Sequence, residues 1–363
     1  GQFALKGLMD ALESPHVDCR QDGAKISGPR GNYLFNASIA GIEEADALLL
    51  IGSNPRLEAP VLNARIRKRY LAGNFPIASI GEAVDLTYKA EFIGAGADTL
   101  ADLLAGKQSF ADTLKNAENP MIIVGQGALT RDDGAAVLAS AIELAEKTGA
   151  SFNMLHTAAA RVTGLDLGLV PGEGGFDVAA MQEAAQSGAL ENVILYGADE
   201  IAGASLGEAF VVYIGSHGDR GAHRADVILP AAAYTEKQAT YVNTEGRPQM
   251  TEQAATPPGE AREDWKIFRA LSARLDVTLP YDNLNELRVA MYEAAPHLAQ
   301  LDEIVSADAP QAPSHDGLGA ATFTYAVSDF YFTNPIARAS AIMADCAKAK
   351  GARSDAEGTG TDG

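Results

Sequence analysis

Three groups of residues have types and spacing that could do chemistry. The turn Gly52-Ser53-Asn54-Pro55-Arg56 follows an apolar run and precedes a helical pattern, so its backbone N–H groups could cradle a phosphate. It lacks the full GxGxxG spacing, and every doubly wound fold needs βα turns of this composition, so the structural reading stands beside the binding one. Gly125-Gln126-Gly127-Ala128-Leu129 is a weaker turn of the same kind. A second group is His217 and His223, in the polar loop after another apolar run. Acid–base work is open to them there, and a solvated loop histidine is the simpler reading. The third group is Glu236, Asn243, Glu245 and Arg247, four hydrogen-bonding side chains interleaved with Tyr241 and Val242. The planar five-donor fork of Arg247 matches a carboxylate from Glu236 or Glu245, and Gly246 can take the positive φ that a tight turn requires. The expectation is a buried polar network locking a hairpin onto the second of two α/β domains. The alternative is a solvated surface hairpin.

Other chemistries find no support. None of the six histidines stands in HxxxH or HExxH spacing, and there is no GxSxG elbow, Walker A sequence or CxxC array. Cys19 and Cys346 lie at opposite ends of the chain, so no disulfide framework can be read from the sequence, which fits a reducing compartment. The chain begins Gly1-Gln2-Phe3 without Met or a leader pattern, so it is expected to be processed or part of something longer.

With 28 basic and 48 acidic residues the net charge is −20, which repels phosphate backbones and anionic headgroups. Nucleic acid is therefore not expected as a partner, nor is direct membrane insertion, since no apolar stretch approaches the roughly 20 residues of a spanning helix. Arg65, Arg67, Lys68 and Arg69 crowd one helix end in this acidic chain. They suit either the helix dipole or an acidic partner surface.

The elements that must position these residues are written in the apolar pattern. Runs at 47–51, 77–80, 121–124, 192–196 and 211–214 each end on a glycine and are apolar on both faces, as buried parallel strands are. Helical spacing follows at 58–71, with Pro60 in its first turn, and from Asp132 to a stop at Gly149. A hairpin is expected around Thr244-Glu245-Gly246, helices at 263–275 and 284–294, a loop at 307–319, and no order in the apolar-poor tail 351–363.

Several longer segments carry a resemblance. They include Asp18-Cys19-Arg20-Gln21-Asp22-Gly23, Asn32-Tyr33-Leu34-Phe35-Asn36, Gly52-Ser53-Asn54-Pro55-Arg56-Leu57-Glu58-Ala59-Pro60 and Ala225-Asp226-Val227-Ile228-Leu229-Pro230. The most specific is Tyr234-Thr235-Glu236-Lys237-Gln238-Ala239-Thr240-Tyr241-Val242-Asn243-Thr244-Glu245-Gly246-Arg247. Through these the chain resembles, from about Phe3 to Ser340, the large peripheral-arm iron–sulfur subunits of NADH:quinone oxidoreductase, respiratory complex I. The matching stretch follows their cluster-binding region. The hairpin and the Gly-Ser-Asn-Pro turn also occur in molybdopterin-dependent oxidoreductases, whose α/β domains hold a pterin dinucleotide.

The resemblance, together with a βα alternation that breaks between Ala105-Gly106-Lys107 and Asn119-Pro120, implies an α/β fold of two doubly wound, mainly parallel-sheet domains, 1–112 and 113–279. A helical and irregular C-terminal extension, 280–363, would follow. It implies a structural role with no catalytic, cofactor or metal site in this segment, the iron–sulfur clusters lying upstream in the full subunit. It further implies other peripheral-arm subunits as partners, and a peripheral place on the cytoplasmic face of the inner membrane or the matrix side. A molybdopterin enzyme fragment and a free-standing nucleotide-binding protein are the rival readings.

Overall fold

The computed structural model describes residues 1–350; the tail expected to lack order falls outside the described residues. Eight strands form two parallel sheets. The first contains β1 (Ala47–Ile51), β2 (Ile77–Ile80), β3 (Glu91–Gly94), β4 (Pro120–Val124) and β5 (Ser151–Met154), in the order β3-β2-β1-β4-β5. The second contains β6 (Asn192–Tyr196), β7 (Phe210–Gly215) and β8 (Val227–Pro230), in that order. A two-stranded antiparallel hairpin, β9 (Thr240–Val242) and β10 (Pro248–Met250), follows.

Strand alternation explains why the first sheet is covered on both faces. Leu49 and Ile51 pack into one core with Ile122, Val124 and the helix Gly134–Thr148, through Val137, Leu138 and Ala141. Leu48 and Leu50 point the other way, to Met121, Ile123 and the helix Pro60–Leu71, through Leu62 and Ile66. All of β1 is fully buried. A strand wet on neither face has no use for polar residues, and this is why Ala47–Ile51 reads as an uninterrupted apolar run.

The second sheet is likewise flanked on both faces, but by elements distant in sequence. Ala4 and Leu8 of the N-terminal helix Gln2–Ala11 join Ile214, Trp265 and Phe268 in one core. Ala185 of the helix Val178–Ser187 joins Leu195, Val211 and Tyr213 in the other.

These facts correct the domain boundaries expected from sequence. The break at 112/113 does not separate sheets, because β4 hydrogen-bonds to β1 along its whole length, from Ala47 opposite Pro120 to Ile51 opposite Val124. The first sheet instead runs to Met154. Residues 2–11, assigned to the first unit, pack on the second, so the chain starts in one unit, builds the other and returns.

Leu8 is fully buried, so Leu8→Ala is expected to cost about 2–5 kcal/mol. Hydrogen exchange locates that loss: amides of β6 and β7 should lose protection before those of β1 and β4. Loosening of β1 first would contradict the assignment of this helix to the second unit.

Candidate functional site

The strand order of the first sheet reverses between β1 and β4, and the carboxyl ends of strands at such a switch point form the crevice where doubly wound folds bind nucleotides. The two glycine turns meet there. Ser53 and Asn54 are buried, with Pro55 opening the short helix Pro55–Glu58. The anion position at the Asn54 N–H is taken by this chain itself. Glu58 Oε1 accepts from Asn54 N at 2.8 Å, and Oε2 accepts from Ser53 Oγ at 3.2 Å. Burial pushes the Glu58 carboxyl up to about 7, against the opposing effect of those two bonds. Arg56 turns outward, to Asp85 Oδ2 at 2.6 Å.

On the other side of the crevice, backbone from the C-terminal extension lies across the strand ends. A Cβ on Gly127 would come within 1.8 Å of the Thr324 carbonyl oxygen, so glycine is required for this approach. Phe323 N donates to Ala95 O at 2.8 Å, and Tyr325 OH donates to Glu82 O. Arg131 donates to the carbonyls of Ala321 and Thr322 at 2.7 and 2.6 Å. A dinucleotide phosphate does not fit on this turn: a carboxylate already takes the donors, and main chain fills the space above Gly127.

The hairpin residues divide. Asn243, Glu245 and Arg247 come together: Asn243 Oδ1 accepts from Arg247 N at 2.9 Å, and Glu245 Oε1 accepts from Arg247 Nε at 3.1 Å and from Asn243 Nδ2 at 3.2 Å. Burial would raise the Glu245 carboxyl, and the bonds from Ile39 N, Asn243 and Arg247 outweigh it and hold it below the usual range. Gly246 has φ +84°, and its carbonyl accepts from Arg30. Glu236 stays apart, closing its own turn by accepting from Ala233 N at 2.9 Å.

The network also faces the first unit, where the second was expected. Ile39 N reaches Glu245, Phe35 N donates to Thr244 O at 2.7 Å, and Thr244 Oγ1 donates to Met154 O at 3.0 Å. The link to the second unit comes from Lys237, whose Nζ lies 2.5 Å from Asp264, a carboxylate that also accepts from Tyr196 OH.

Sequence reasoning missed the group beneath this hairpin. Asp166 has a fully buried side chain and accepts from Arg30 Nε at 2.9 Å, Arg30 Nη2 at 3.2 Å and Tyr33 OH at 2.9 Å. His297 Nε2 lies 3.0 Å from Oδ2, the oxygen that also accepts from Arg30 Nη2. Burial raises this carboxyl, and the contacts with His297 and Arg30 more than offset it, leaving it below its ordinary value. Residues 30, 166 and 297 share no local pattern, so no sequence signal could have joined them.

The remaining expectations are simpler. His217 is half-buried with Nδ1 3.0 Å from Ser216 Oγ, and His223 is exposed. Arg65 and Lys68 both reach Glu43 at 2.8 Å, Arg69 donates to Ala45 O, and Arg67 to Thr87 O. The basic cluster is thus engaged by its own chain. Cys19 and Cys346 are both free. Among the described residues no group of three or more His, Cys, Asp or Glu side chains could hold a metal, and no helix is long and apolar enough to cross a membrane.

The family model "Molybdopterin oxidoreductase" matches residues 2–274, which hold both parallel sheets and the hairpin. The chain belongs to that family. A second model, for the C-terminal part of an NADH-ubiquinone oxidoreductase subunit, matches residues 299–346, which include the segment lying over Gly127. The chain is 42% identical over 355 residues, 95% of its length, to the mitochondrial NADH dehydrogenase (ubiquinone) iron-sulfur protein 1 of Solanum tuberosum, covering 47% of that protein. It is 42% identical over 331 residues, 87% of its length, to the NADH-ubiquinone oxidoreductase 75 kDa subunit of Reclinomonas americana, again covering 47% of it. It therefore spans about half the length of the curated relatives it matches. Acetylene hydratase from Pelobacter acetylenicus shares the fold, with a TM-score of 0.51 at 13% identity, over 93% of this chain and 61% of that one.

Two pH measurements test this geometry. The folded pKa of Asp166 lies below its unfolded value near 3.9. Its stabilisation is thus present above about pH 4 and lost as pH falls through the lower folded value. Asp166→Asn should cost about 3–5 kcal/mol at pH 7, because Arg30 is left buried without its carboxylate. The deficit relative to wild type should shrink below pH 4; an equal deficit at pH 3 and pH 7 would show that shape, not charge, matters. Glu58 has the opposite sign. Its folded pKa near 7 exceeds the unfolded value of about 4.3, so folding favours the protonated form and stability falls as pH rises between these values. In denaturant titrations Glu58→Gln should gain on wild type from pH 5 to pH 8, by at most about 3 kcal/mol. A constant difference over that range would mean that the carboxyl is not desolvated.

Proposed function

We propose that the chain is a structural and assembly part of the iron–sulfur subunit of a proton-pumping NADH:quinone oxidoreductase, without a redox centre of its own in the described residues. The observation that carries this reading is the similarity, over most of the chain, to iron–sulfur protein 1 and the 75 kDa subunit of that enzyme. The crevice supports it. The donors that would hold a phosphate serve Glu58, and the space beyond Gly127 holds the chain's own backbone. An iron–sulfur cluster is held by four thiolates, and Cys19 and Cys346 are the chain's two cysteines. The clusters belong in this reading to other parts of a full-length subunit, and the partners are other subunits of the peripheral arm. The complex would sit at a membrane, on the cytoplasmic face or the matrix side, with this chain held there by its neighbours.

The chemistry left to these residues is positioning. Arg30, Asp166 and the hairpin turn fix the first unit against the hairpin, while Lys237 and Asp264 fix the same segment to the second. These contacts tie both units to the hairpin segment without a bound cofactor.

Arg247→Ala removes the donors to Glu245 and to Asp302 O. The yield of assembled complex and its melting temperature should fall, while turnover per intact complex stays within about twofold of wild type. A variant that assembles and melts normally yet loses turnover would place the hairpin in the chemistry. Metal analysis of the same complex should find no molybdenum at stoichiometric level; finding it would favour the molybdopterin enzyme reading.

A further inference from the structure

One segment of the C-terminal extension touches both α/β units. Its first end is seated on the carboxyl edge of the first sheet. Gly319 N donates to Asp133 at 2.8 Å, Arg131 holds the carbonyls of Ala321 and Thr322, and Thr322 bridges Gly96. Phe323 is only 2% exposed, within the core that contains Leu49 and Val124. Its other end carries Arg338, on the short helix Pro335–Arg338. That guanidinium pairs through Nε with Asp219, whose carboxylate is buried, and its Nη2 lies 3.6 Å from Glu200. Both acids stand at the carboxyl edge of the second sheet, in the turns after β6 and β7, beside Asp199, which is held by Tyr213 OH at 2.9 Å. Three carboxylates brought so close repel one another, and the seat calls for a cation. Between its two ends the segment lines a cleft of about 1810 Å³, whose walls include Cys19 and Glu58 on one side and Tyr196 and His217 on the other.

The two attachments differ in kind. Phe323 is an aromatic side chain in a dry core, reinforced by backbone hydrogen bonds and by the Arg131 guanidinium 5.2 Å from the centre of its ring. Arg338 is a single charged side chain in an acidic seat. Withdrawing the first exposes a core, whereas withdrawing the second gives up the charged contacts with Asp219 and Glu200 and lets water reach both carboxylates.

We propose that residues 319–338 are a clasp: Phe323 is its fixed anchor, and Arg338 is a releasable latch that sets the width of the cleft between the two α/β units. This goes beyond the scaffold role and does not depend on which assembly the chain serves. With the latch seated, residues between 326 and 338 line the same cleft as Cys19, whose thiol is partly buried. With it released, the segment swings from its anchor and the cleft opens.

The test is modification of Cys19 by a bulky maleimide in the native assembly, followed by peptide mass spectrometry, with hydrogen exchange at the Phe323 amide read in parallel. Arg338→Gln should raise the Cys19 rate at least tenfold while exchange at Phe323 stays within about twofold of wild type. Arg338→Lys keeps the charge and should stay near the wild-type rate, and Phe323→Ala should raise both readings. The clasp is overturned if Arg338→Gln leaves the Cys19 rate unchanged, if it strips protection from Phe323 as well, or if the lysine variant is as open as the glutamine one.

Discussion

A carboxylate with no exposure to water is stable only when donors surround it, and the donors around Asp166 come from widely separated parts of the chain. Arg30 and Tyr33 approach from the segment that leads into the first sheet, and His297 from the C-terminal extension. Arg30 then uses its remaining donors on Gly246 O and Val305 O, so the same guanidinium grips the hairpin turn and the extension. These pieces also share an apolar core, to which Leu34, Val242 and Leu298 each contribute a buried side chain. The buried pair adds directional, charged contacts to that core, and with the bonds from Ile39 N to Glu245 and from Phe35 N to Thr244 O it fixes the hairpin on the first unit.

The crevice at the switch point of the first sheet bears on the scaffold role proposed for this chain. Doubly wound sheets leave a crevice at the switch point because neighbouring connections depart to opposite faces there. In many proteins of this architecture a ligand fills it. Here Glu58 turns back on the first βα turn, and Thr324 lies on Gly127 in the second. Both occupants belong to the chain, so the contacts at these two turns form as part of folding.

How much of this was legible in the sequence follows from burial. The five runs read as strands are strands, and those at β1, β2 and β4 are buried on both faces, which writes an unbroken apolar signature. The strands that went unread are β3, β5 and β8. β3 and β8 are partly exposed, and β5 carries the buried Asn153, so their patterns are short or interrupted. The boundary error has a similar cause: an amphipathic helix such as Gln2–Ala11 shows that it packs, not on what. At the hairpin, Asn243, Glu245, Gly246 and Arg247 were legible because they act within one turn. Their partners were not, for Ile39 and Arg30 lie more than two hundred residues away. The ionisable residues at 30, 166 and 297 look in sequence like any solvated surface group.

Native-state hydrogen exchange across a denaturant series measures this most directly. The amides of Phe35, bonded to Thr244 O, and of Val242, bonded to Thr163 Oγ1, join the hairpin to the first unit. If the clamp makes hairpin and sheet one cooperative body, these amides and those of β4 merge into a single opening isotherm, with the same free energy and the same denaturant dependence. Opening of the Phe35 and Val242 amides at much lower free energy, while β4 stays protected, would show that the hairpin is only laid on the surface and that the Asp166 clamp does not hold the structure together.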